Sequence, residues 1–262
     1  METIKDFFQP FKIISKRNLS ILLVMQFVIA IIALQLTGGS GLIPSPIKIG
    51  EKILNIVSTA NFWDEFMASL MLTIKGMAIS LVIALLVSYA YVIPFFRPLA
   101  KFVIKCRYLT LTGLIFLFTL LTSNGSQLKL GLLVFGIVPF FVTSLLSIID
   151  GIDKQEFELC KTLGMSNWRA LWEIIIIGRL DMVVEVVRQN FAIAWMMITM
   201  VEGLSMSEGG LGTMLIKSNK YIDLSTVFAI LVIIFLVGVL FDYVLGVLRY
   251  WLFPYTKIQM RK

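Results

Sequence analysis

The chain has no histidine. That removes the commonest general base and the commonest metal ligand. It has two cysteines, too few for a disulfide framework. Cys106 and Cys160 fall in segments expected in the cytoplasm, where they read as free thiols. Only 15% of the residues are charged, against about 25% in soluble domains. No G-x-x-x-x-G-K-[ST] loop occurs, so nucleotide phosphates cannot be cradled by that route. Acidic residues do not cluster in the apolar runs, so an intramembrane enzyme lacks both metal ligands and a nucleophile–base pair. No catalytic residue, metal site or cofactor site is assigned, and there is no internal repeat or low-complexity tract.

What is present is apolar. Hydrophobic residues make up 58% of the chain and mean hydropathy is +0.92. Several runs near 20 residues lack charge, which indicates an all-α protein crossing a membrane repeatedly. Six transmembrane helices are expected: Leu19–Thr37, a run from about Phe66 to Phe96, one within Tyr108–Thr122, Leu130–Ile149 with a kink at Pro139, about Val183–Val201, and Leu224–Leu248. The first is not a signal peptide, because its apolar stretch is long, Glu2 and Asp6 precede it, and no small-residue cleavage site follows.

Lys and Arg are distributed unevenly between the two sides. The tail before Leu19, the 97–107 loop, the 150–181 loop and the segment from Arg249 hold 16 of them; the opposite loops hold 5. By the positive-inside rule both termini and the 150–181 loop are cytoplasmic. The organisation read from this is a tail over 1–17, a membrane domain over 18–252 with a loop at 150–181, and a tail over 253–262. The net charge of +7 is scattered near span ends, so nucleic acid is not an expected partner. The first tail, with Phe7, Phe8 and Phe11, reads equally as a surface amphipathic helix or as unstructured chain.

The 150–181 loop carries ten charges in 32 residues between two apolar runs. Asp153 and Glu156 form a capping-box pattern. Phe157, Cys160 and Leu163 follow at helical spacing, Gly164 offers a left-handed stop, and Ser166 caps a second helix through Trp168, Leu171 and Trp172. The expected product is two short helices at a sharp turn, able to plug into a groove on a cytosolic protein. A plain connecting loop is the competing reading, and the length argues against it.

Polar residues also fall inside spans. Glu185 and Arg188 share a helix face, with Gln189 and Asn190 beside them and Thr199 further along. They read either as a translocation path or, preferred here, as a structural Glu185–Arg188 pair near the cytoplasmic interface. Glu202 is placed at the outer interface, Lys75 is read as snorkelling, and Asp242 is placed within reach of Arg249. Ser205–Tyr221, with Gly209, Gly210 and Gly212, reads as a shallow outer helix or a surface loop.

Glu158-Leu159-Cys160, three residues, then Gly164 resembles the Glu-Ala-Ala, three residues, Gly signature of the EAA loop in ABC importer permeases. Ile43-Pro44-Ser45-Pro46, Thr162-Leu163-Gly164 with Ser166 and Trp168-Arg169, Arg188 with Ala194-Trp195 and Glu202, and Gly209-Gly210-Leu211-Gly212 resemble, in order, motifs of the nitrate/sulfonate/taurine type. The sequence departs from that pattern at Leu159-Cys160 for Ala-Ala, at Ile174-Ile175-Ile176-Ile177 where the signature closes in Ile-x-Leu-Pro, and in a third span without proline.

The resemblance implies a non-enzymatic permease subunit in the cell inner membrane. It implies pairing with a second permease copy, identical or different, a cytosolic ATP-binding cassette ATPase dimer that handles ATP and Mg, and an extracytoplasmic substrate-binding protein. Phe157, Glu158, Cys160, Leu163 and Gly164 are then the ATPase-coupling residues. Arg188, Gln189, Asn190 and Thr199 are the candidates for the path. The competing classes are an ion-coupled carrier or channel, which wants deep charges or inverted repeats, and a divergent permease paired with another permease chain.

Overall fold

The structure is a computed structural model and describes residues 16–37, 44–206 and 209–254. Among these residues there are eleven α-helices and no strand. They are α1 (Lys16–Thr37), α2 (Pro46–Val57), α3 (Ala60–Ala90), α4 (Arg97–Lys105), α5 (Leu111–Leu121), α6 (Gly125–Asp150), α7 (Lys154–Thr162), α8 (Asn167–Ala170), α9 (Leu180–Leu204), α10 (Leu211–Lys220) and α11 (Leu224–Leu252). A π-helical stretch, Leu171–Ile177, continues α8. The expected tail helix, Ile43 of the Ile-Pro-Ser-Pro motif, and residues 255–262 lie outside the described residues.

By length and composition α3, α6 and α11 can each cross a membrane. A fourth crossing exists if Pro94–Tyr108 and Leu111–Leu121, bent by 112°, form one broken span. The six expected crossings are not reached by this measure among the described residues. The two others fall on α1, 22 residues long, and on α9, whose Glu185, Arg188, Gln189, Asn190 and Glu202 lower its hydropathy.

The third expected span needs correction. It is the 11-residue α5, about 16 Å long at 1.5 Å per residue, against a hydrocarbon core of about 30 Å. The run expected to reach Phe96 ends at Ala90. Pro94 disfavours α geometry at Ile93, which is extended at φ −77°, ψ 121°. The basic loop expected over 97–107 is mostly α4.

α6 is the centre of the molecule. In its most apolar window 56% is buried, against 28% in α3 and 17% in α11, so the other two are peripheral to it. Apart from Phe62 and Met77, the face that α3 buries is small: Ser69, Thr73, Gly76, Ser80, Ala84 and Ser88. Bulky Leu132, Leu133, Ile137 and Phe141 of α6 fill the core alongside it. Lipid supplies little hydrophobic drive between helices, so close packing of small against large residues holds such pairs. The outer faces of α11 and α3 stay apolar and exposed, with Phe235, Leu236, Val239 and Leu240 on the first and Met67, Met71 and Ile74 on the second. That is the surface a bilayer solvates.

α2 was not expected. Ser45 precedes it with Pro46 at its first position, and Ile53, Ile56 and Val57 pack on the core. It is tied to the start of α11 by Lys52 Nζ donating to Asp223 Oδ2 at 3.3 Å. Asp223 also caps α11, accepting from the Thr226 amide at 3.2 Å and hydroxyl at 2.7 Å.

Candidate functional site

The 150–181 segment folds into an elbow. Asp153 caps α7, its Oδ1 accepting from the Gln155 amide at 3.2 Å. The capping box is only half made: the Glu156 carboxylate turns to Arg179 at 2.5 Å instead of back to the cap. α7 ends in a Schellman motif. The Met165 amide donates to the Cys160 carbonyl and the Gly164 amide to the Lys161 carbonyl, each at 3.0 Å. Gly164 holds φ +70°, in the left-handed region that a side chain disfavours. Ser166 then caps α8, accepting from the Arg169 amide at 3.3 Å.

The elbow has its own core. Ile152, Cys160, Ala170, Ile174 and Ile175 are buried together, and Tyr89 and Val92 at the end of α3 pack against them. The Ile174–Ile177 run, where the signature carries a proline, lies in the π-helical stretch, closed by the Gly178 amide donating to the Glu173 carbonyl at 2.9 Å. The structure separates the expected stripe. Cys160 is buried and Phe157 leans into the small core, whereas Glu158, Leu163 and Gly164 are exposed. Leu159, Leu163, Trp168 and Trp172 expose 55–70% of their surface, so the outward apolar face is a different set from the one expected. Leu159 at i−4 from Leu163 was the signal available in the sequence.

The span residues assemble a charge cluster between α9 and α11. Arg188 donates to Glu185 at 2.7 Å and lies 3.5 Å from Asp242. Arg249 donates to the other Glu185 oxygen at 2.6 Å. The Glu185–Arg188 pair is therefore present. Asp242, expected to meet Arg249, faces Arg188 instead, and Glu185 takes Arg249. Gln189 also donates to Glu185, at 3.4 Å. Asn190 is buried and donates to the Val186 carbonyl at 2.9 Å.

The four path candidates do not share a cavity. Gln189, Glu185 and Arg249 line one of about 470 Å³ with Thr143, Ser144 and Ser147 of α6. Thr199 lines an apolar groove of about 520 Å³ with Trp195, Met196 and Phe235. Ala194 and Trp195 are buried; the Trp195 indole donates to the Ile234 carbonyl at 2.9 Å and fastens α9 to α11.

At the other end of α9, Glu202 is enclosed by protein. It is 1% exposed. Its carboxylate accepts from Ser69 of α3 at 2.7 Å and from the Gly212 amide at 2.9 Å. Ser69 accepts in turn from the Leu211 amide at 2.8 Å. Glu65 accepts from the Gly210 amide, and Lys129 donates to the Gly209 carbonyl at 2.9 Å. Gly210 has φ +111°, and a Cβ there would stand 2.2 Å from the Glu202 carboxyl carbon. Burying the carboxylate is offset by this set of donors. Of the two readings of the Ser205–Tyr221 segment, the helix holds: α10 begins on the stapled glycine loop. Lys75 lines a cavity of about 250 Å³ with Lys129, Glu202 and Gly209.

Among the described residues, long apolar helices and an elbow packed on the end of one of them fit a membrane permease component. The family of binding-protein-dependent transport system inner membrane components matches residues 21–252, and the chain belongs to it. No curated protein shows a significant sequence match.

Proposed function

We propose that this chain is the permease subunit of an ATP-driven importer of the nitrate/sulfonate/taurine type, non-catalytic itself and paired with a second permease copy. In this reading residues 18–252 form six crossings, the third carried by α5 with the extended residues that flank it and the fifth by α9, with both tails in the cytoplasm and the 150–181 elbow beneath the membrane. A cytosolic ATPase dimer carries ATP and Mg, and an extracytoplasmic protein delivers the solute. Closure of the ATPase dimer moves the elbow, and the spans rock between inward-open and outward-open states.

The observation that carries this reading is the elbow's construction. It is capped at Asp153 and Ser166, turned at Gly164 and packed through its own core onto the end of α3. A rigid lever is therefore joined to a span. Its outward apolar side chains, Leu159, Leu163 and Trp168, supply the contact, with Glu158 beside them, while Phe157 and Cys160 transmit motion from inside the lever. Of the path candidates Arg188, Gln189, Asn190 and Thr199, Gln189 and Thr199 are kept because α9 presents each to a cavity, whereas Arg188 is held by Glu185 and Asp242 and Asn190 is buried. Purification of the chain from its native membrane tests the reading: a Walker-motif ATPase accompanies it, and the reconstituted complex hydrolyses ATP. A chain that transports solute alone under an ion gradient contradicts it.

A further inference from the structure

We propose that α4 is a membrane-surface helix that binds anionic lipid headgroups on the elbow side of the bilayer. Three sectors follow from its helical spacing. Ala100 is buried, and Val103 and Ile104 pack on the main core. Phe102 and Leu99, with Phe95 just before the helix, expose 65%, 52% and 82% of their surface. Arg97, Lys101 and Lys105 form a third, exposed sector at i, i+4 and i+8, next to the apolar one.

From Arg97 to Arg107 there are four cations and no acid. Arg97 opens the helix with no acidic residue in the first turn, an arrangement the helix dipole opposes unless an anion arrives from outside. Among the described residues neither Lys101 nor Lys105 makes an ion pair. Asp150, at the end of the packed helix α6, lines a cavity with Lys101.

Geometry places the helix where headgroups are. The 94–108 segment turns 112° from α5, so it runs across the direction of that helix. It follows the end of α3, where Tyr89 and Val92 meet the elbow core, so it lies on the elbow's side. An exposed apolar sector beside a basic one is the pattern of a helix half-sunk in an interface. Cations at an anionic surface contribute roughly fivefold in affinity each.

The test uses the full-length chain in vesicles of phosphatidylcholine and phosphatidylglycerol in equal amounts, with retained lipids counted by native mass spectrometry. The wild type retains phosphatidylglycerol preferentially, and the preference falls with added salt. R97Q/K101Q/K105Q loses it by up to about a hundredfold, and K101R/K105R keeps it. The salt arm needs no variant, so misfolding of the triple substitution leaves the proposal exposed to failure. No preference in the wild type overturns it, as does a preference insensitive to salt or unchanged in the triple variant. Loss of ATPase association in the triple variant, with lipid retention intact, overturns it and assigns the basic sector to an acidic protein surface.

Discussion

Ser69 on α3 and Glu202 on α9, 133 residues apart, share a hydrogen bond of 2.7 Å inside the molecule. The same hydroxyl and carboxylate receive the backbone amides of Leu211 and Gly212, so one pair of side chains ties two long helices to the loop that starts α10. Glu202→Ala leaves these buried donors unmet, at about 1–3 kcal/mol for each group left unsatisfied. Glu202→Gln keeps acceptor capacity and loses less. Thermal unfolding in detergent checks the order: wild type above Gln, Gln above Ala.

Gly164 sets the angle of the elbow. A side chain at φ +70° costs roughly 1–2 kcal/mol, and asparagine tolerates that region better than valine. Gly164→Val is expected to loosen residues 157–172 in hydrogen exchange and to weaken association with the ATPase, with Gly164→Asn close to wild type. Equal protection in the valine variant contradicts the Schellman turn as the organising element.

Glu185 bridges Arg188 and Arg249, and its side chain is only 19% exposed. Removing it takes away the Arg249 ion pair and leaves Arg188 with Asp242 alone. A double-mutant cycle of Glu185→Gln and Arg249→Gln is expected to show a coupling of about 1–3 kcal/mol in unfolding free energy. Additive effects would place the two side chains in independent environments.

Asp223 has a pH signature. Hydrogen bonds from Thr226, with Lys52 adding a smaller share, hold its carboxyl below the usual aspartate range. A depressed carboxyl contributes stability that is complete above its unfolded value and is lost as pH falls through the folded one. Asp223→Ala is therefore expected to cost about 0.5–2 kcal/mol at neutral pH through the lost cap. The penalty shrinks as pH drops below about 4. A penalty independent of pH contradicts the ionised cap.

The local signals of the elbow were legible because they act over a few residues. Asp153, Gly164 and Ser166 each do what their chemistry dictates within one helical turn. Long helices α3, α6 and α11 were legible because apolar runs of that length have few other uses. What the sequence hid depends on partners far along the chain. Glu202 reads as an interfacial charge in the sequence because the donors to its carboxylate, the Ser69 hydroxyl and the Gly212 amide, come from other elements. Asp242 and Arg249 were matched by distance along one helix, whereas α9 offers each a nearer partner. The inward turn of Phe157 and Cys160 depends on Tyr89 and Val92, some 70 residues upstream. Pro94 was in plain view, and its effect on the end of α3 was readable but missed.

The most direct test of the central claim is a photo-crosslinker placed in turn at Leu163, Trp168, Phe157 and Tyr221 in native membranes. The account predicts capture of a cytosolic ATPase subunit from the exposed elbow positions Leu163 and Trp168, with none from the inward Phe157 or from Tyr221 at the far end. Failure to capture an ATPase from Leu163 and Trp168, or labelling of either by an impermeant reagent added outside the cell, contradicts it.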